Sequence, residues 1–132
     1  MEIRQFRVVV RAKNFDTSCL FYGESLALPR VQTWEREDQR GALFQAGPGV
    51  IEVLGRAEGA PPSVLDTIFE DQGPDRKMVV MLAVPSAEKA YQEMHFRDKN
   101  IPGGLHRDGD GALIFETHDP DGVRILFRQT ED

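Results

Sequence analysis

The sequence of 132 residues holds a single cysteine, Cys19, which excludes an intrachain disulfide and fits a reducing compartment. No apolar run approaches the ~18 residues of a membrane-spanning helix. The opening MEIRQFRVVV lacks the apolar core of a secretory leader and alternates as a strand does. A cytoplasmic protein without a membrane partner is the expectation. An excess of basic charge is also missing. Sixteen Lys and Arg stand against 22 Asp and Glu, for a formal charge of -6. That argues against a nucleic-acid partner, which needs a cationic face to displace counterions. The glycines have no phosphate-loop spacing.

What is present is alternation, and it occurs twice. Residues 3–11 put Phe6, Val8 and Val10 on one face and Gln5, Arg7, Val9 and Arg11 on the other, as in a half-buried strand. NFDTSCLFYGESLAL then reads as an amphipathic helix, with Asp16 as N-cap and Cys19, Tyr22 and Leu26 on the apolar side. Strands are expected at 29–36, 41–46 and 50–54, separated by glycine turns. Residues 56–77 change character and form a linker, in which Ser63 caps a short helix through VLDTIFE.

The order then restarts. KMVVMLAV is a strand, and Ser86 caps a helix with Ala87, Ala90, Tyr91 and Met94 on one side. Strands near 104–107 and at 111–117 flank the DGDG turn. DPDGVRILF, at 119–127, is a turn leading into a strand. That strand has Val123, Ile125 and Phe127 on one face and Arg124 and Leu126 on the other. The expected architecture is α+β: tandem βαβββ modules with a period of about 70 residues. Module one spans 1–55 and module two 78–132, within a single domain 1–132. Each helix covers one face of its sheet. The uncovered faces of two curved mixed sheets would enclose a cleft, with Arg7, Glu52, Val79 and Leu126 on its floor.

Taken in order, FRVVVRAKNFDTSCLFYGESLAL (6–28), VIEVLG (50–55), VVMLAVPSAEKAYQEM (79–94) and DPDGVRILF (119–127) resemble the vicinal oxygen chelate superfamily. Its members include glyoxalases, extradiol dioxygenases, fosfomycin-resistance enzymes and bleomycin-resistance proteins. The resemblance implies a homodimer and, in metal-using members, ligands at four equivalent strand positions. Carried onto this chain, those positions hold Arg7, Glu52, Val79 and Leu126. Only Glu52 is a ligand type. Arginine stays protonated, and valine and leucine offer no donor. The expectation is therefore no metal and no cofactor.

Arg7 and Glu52 admit two readings. They form a structural ion pair, or Arg7 supplies a cation where a metal would stand, suited to a carboxylate, enolate or phosphate. Trp34, Phe44, Met81 and Phe115 complete the expected cleft lining, with core packing as the other reading for the aromatics. His95 reads as a solvated helix end. His118 with Asp119 or Glu116 is a candidate base without a nucleophile, and His106 has no assigned role. Cys19 reads as an inert core thiol. These features suggest a metal-free small-molecule-binding protein. The alternatives are a lyase, isomerase or dioxygenase acting through Arg7 and Glu52 or through an unrecognised metal site, and a ligand-free structural dimer.

Overall fold

A computed structural model describes residues 2, 4–60, 79–97 and 101–130. The chain divides into two compact units, Met1–Gly73 and Pro74–Asp132, and each builds a four-stranded mixed sheet. The helix expected after Ser63 lies outside the described residues.

In the first unit the strands are β1 (Arg7–Arg11), β2 (Arg30–Glu35), β3 (Gln39–Ala46) and β4 (Gly49–Arg56), in the order β1-β4-β3-β2. β1 and β4 are parallel and the other pairs antiparallel. Alternation assigns the faces. Val10, Ala42, Phe44, Ile51 and Val53 are buried on one side. That side is covered by α1 (Phe15–Leu20) and the π-helical turn Phe21–Ser25 that continues it. Tyr22, fully buried, lies 6.1 Å from the Phe44 ring. Gly23 sits where a Cβ would come within 3.1 Å of that ring, so a glycine inside the helix has a packing reason. Gly55 likewise lets Phe15 approach β4, since a Cβ there would stand 2.6 Å from the Phe15 Cβ.

The cap of α1 is Asn14 rather than the expected Asp16. The Asn14 side chain accepts from the Thr17 N–H at 3.0 Å, and Asp16 occupies the first turn, where its charge suits the helix dipole. The helix closes at Ala27, which adopts φ 55°, while the Leu28 N–H reaches back to the Tyr22 carbonyl at 3.0 Å. Phe6, expected under the helix, precedes β1 and is 70% exposed.

The second unit repeats the plan with β5 (Val79–Val84), α2 (Ala87–Arg97), β6 (His106–Arg107), β7 (Leu113–His118) and β8 (Arg124–Gln129). The strand order is β5-β8-β7-β6, with β5 and β8 parallel. Phe115, Thr117, Ile125 and Phe127 are buried. Phe115 stacks on Phe127 at 4.4 Å and meets the edge of Tyr91 from α2 at 5.5 Å. Ser86 caps α2 through the Lys89 N–H, as its position suggests. In both turns an aspartate side chain holds the backbone. Asp108 accepts from the N–H groups of Asp110 and Ala112, and Asp119 from those of Asp121 and Val123. Gly122 takes the positive φ, 87°, that the second turn requires.

Candidate functional site on the open sheet faces

The faces turned away from the helices carry the polar chemistry. In the first unit Val9 of β1 stands opposite Glu52 of β4, which stands opposite Leu43 of β3. Arg7 lies two residues before Val9 and so shares this face. Its Nη1 donates to Glu52 Oε1 at 2.6 Å. Its Nη2 and Nε both donate to one oxygen, Gln5 Oε1, at 2.7 and 3.2 Å. The Glu52 side chain is 13% exposed and that of Arg7 35%, so the carboxylate is anchored in the sheet and the cation reaches toward solvent. Beside them Val9 is half exposed.

Trp34 is on the same face but not at the same place. It pairs with Gly41, where a Cβ would come within 2.0 Å of the indole, so the ring occupies the space above that glycine. The row through Trp34 runs Gly41, Leu54, Arg11, whereas the row through Arg7 runs Val50, Gln45. Strand spacing and rise separate the two by about 14 Å across the sheet and about 13 Å along it. They occupy opposite corners. Phe44, expected on the cleft lining, instead points to the helix side, in register with Ile51 and against Tyr22.

In the second unit Val79, Met81 and Leu126 share the open face. Val79 and Met81 are exposed, and Met81 stands opposite Leu126, which in turn stands opposite Glu116. Phe115, the other aromatic expected there, lies on the helix face with Phe127, one residue out of phase with Glu116. The two registers correspond position by position. Arg7 matches Val79, Glu52 matches Leu126, Val50 matches Arg124 and Leu43 matches Glu116. Among the described residues, both units thus show an arginine–glutamate pair on the open face, in different strands. Arg124 grips Glu116 with Nε and Nη2, the latter 3.3 Å from Oε2. The Arg124 hydrogen bonds hold the Glu116 carboxyl below the usual carboxylate range against partial burial, and His118 and His106 add to the effect. His106, paired with Ile114, is in phase with Glu116 and His118.

The remaining candidates fall elsewhere. Asp119 is buried, and its Oδ1 accepts from two backbone N–H groups of the turn. His95 stacks on Tyr91 at 5.6 Å near the end of α2. Cys19 is buried, and desolvation pushes its thiol pKa up against the nearby Arg30 and Arg40. Two partners escaped the reading by residue type: Gln5, and the Arg124–Glu116 pair. Their signal was present in the alternation, since Gln5 is in phase with Arg7 and Arg124 with Leu126.

The residues at the four positions to which the resemblance carries the metal ligands, Arg7, Glu52, Val79 and Leu126, do not fit a divalent ion. Glu52 is the one donor, and it already accepts from Arg7. Among the described residues, no three His, Cys, Asp or Glu side chains gather into a metal-binding group. Among those residues no helix is long and apolar enough to cross a membrane.

The family model described as Glyoxalase/Bleomycin resistance protein/Dioxygenase superfamily matches residues 4–127. Solved structures agree on the fold. A glyoxalase I mutant from Zea mays superposes with TM-score 0.74 at 17% identity, covering 98% of this chain and 45% of that one. The trypanothione-dependent glyoxalase I of Leishmania major gives 0.67 at 18%, covering 97% and 87%. A protein of unknown function from Agrobacterium tumefaciens gives 0.67 at 19%, covering 98% and 96%. Among curated proteins, none matches the sequence significantly.

Proposed function

The chain belongs to the glyoxalase/bleomycin resistance protein/dioxygenase superfamily, and from that premise we propose that it binds a small molecule without a metal, on an open sheet face. The observation that carries this reading is Arg7. It stands at a family ligand position, is held by Glu52 at 2.6 Å, and has half-exposed Val9 beside it. A guanidinium of fixed orientation next to apolar surface suits an amphipathic ligand bearing an oxyanion. Such a site attracts and orients its ligand but lacks the Lewis acid that would activate water or dioxygen.

A second reading has its own support in Glu116, Arg124, His106 and His118. A carboxylate and two imidazoles on one open face are an acid–base set, as a lyase or isomerase of the superfamily would need. The discriminating experiment is a thermal-shift screen of small carboxylates, phosphates and neutral controls against wild type, Arg7→Ala and Arg7→Lys. Stabilisation by oxyanion compounds that disappears in Arg7→Ala is the expected result, together with a lowered unliganded melting temperature because Glu52 loses its partner. Loss of stability in Arg7→Ala with ligand responses intact would reduce the Arg7–Glu52 contact to a structural ion pair.

A further inference from the structure

The geometry around Arg7 points to a ligand class and to a device that controls access, and this inference rests on the small-molecule-binding reading above. We infer that the Nε/Nη2 edge of Arg7 takes a carboxylate carried on an apolar body, and that Gln5 occupies that edge until the ligand displaces it.

The two partners of the guanidinium are unequal. Glu52 takes Nη1 at 2.6 Å from the middle of the sheet, with 13% of its side chain exposed. Removing it would strand a charge among neighbouring strands, so this contact persists. Gln5 precedes β1, is exposed, and serves two donors with a single amide oxygen, one contact short at 2.7 Å and one long at 3.2 Å. The Nε/Nη2 edge is a two-pronged fork that a carboxylate meets with two oxygens, in charge-assisted bonds roughly twice as strong as those to a neutral amide. A carboxylate therefore competes only with the weaker, exposed partner, and displacing it needs no rearrangement of the sheet. Val9, half exposed and next on the same face, offers apolar contact to whatever the carboxylate is attached to. Glu52 meanwhile fixes the plane of the fork, so the ligand's orientation is set before it arrives.

The test follows the Arg7 side-chain Nε–H resonance by ¹H–¹⁵N NMR of the full chain. Benzoate, acetate and inorganic phosphate are titrated into wild type, Gln5→Ala and Gln5→Glu, with Arg7→Lys to assign the signal. Benzoate should shift the resonance saturably and bind more tightly than acetate or phosphate. Gln5→Ala should tighten benzoate binding by about three- to tenfold, because one hydrogen-bonding competitor is removed. Gln5→Glu should weaken it by about tenfold or more, because its own carboxylate fills the fork. A merely structural Gln5 would not move the two variants in opposite directions. Benzoate binding that leaves the Arg7 resonance unmoved, or that is equal in Gln5→Glu and wild type, overturns this inference alone. A wild-type spectrum silent to all three anions overturns it together with the binding reading.

Discussion

At the scale of single residues, the chemistry of the open faces depends on which oxygen faces which nitrogen. Arg7 and Arg124 each hold a glutamate, yet their surroundings differ. Arg7 has a neutral amide on its second edge, whereas Arg124 spends its fork on both oxygens of Glu116. The second arrangement has a consequence for pH dependence. The folded Glu116 carboxyl titrates below its unfolded value of about 4.3. The pair's contribution to stability is therefore complete above that value and is lost as pH falls through the lower folded pKa. Between about pH 5 and about pH 3, wild type should lose more stability than Glu116→Gln. Denaturant midpoints of both proteins at the two pH values check this, and equal losses would show the pair to be energetically silent.

At the scale of elements, what could be read in advance was whatever alternation and turn chemistry encode. The faces of β8 followed from Ile125 and Phe127 against Leu126, and the two Asp–Gly turns from their residues. Phe44 and Phe115 were less legible. A strand aromatic is assigned to the wrong face by a slip of one position, and the pairing of β3 with β4 and of β7 with β8 settles it. The Asn14 cap was missed because Asp16 has the same chemistry two residues on. The close approach of α1 to β4 had no signature beyond Gly55, and it supplies a prediction. Gly55→Ala places a methyl 2.6 Å from the Cβ of buried Phe15, which α1 cannot yield without moving. The expected cost is roughly 1–3 kcal/mol, read by denaturant unfolding. An unchanged midpoint would mean that α1 repacks freely.

At the scale of the whole molecule, the repeat, the α+β class and the family were all legible, because each rests on the joint order of several weak motifs rather than on one residue. The site was legible only in part. Residue types identified Arg7 and Glu52 as a pair and ruled out chelation by valine and leucine, but alternation does not report distance across a sheet. Residue type alone groups Trp34 with Arg7, although two strands, β4 and β3, and about four residues along the strands separate them. The two units share a register and differ in what stands on it. Carboxylates sit at Glu52 in one and Glu116 in the other, so the duplicated scaffold carries two distinct polar sites rather than two copies of one. The central claim, that the chain binds an oxyanion through Arg7 and not through a metal, is tested most directly by calorimetric titration with the best compound from the screen. Wild type stripped with a chelator, wild type reloaded with Ni²⁺, Fe²⁺ or Zn²⁺, and Arg7→Ala are compared. Binding through Arg7 requires the same affinity with and without metal and at least about tenfold weaker binding in Arg7→Ala. Binding that vanishes on chelation, returns with one metal and ignores Arg7 would contradict it.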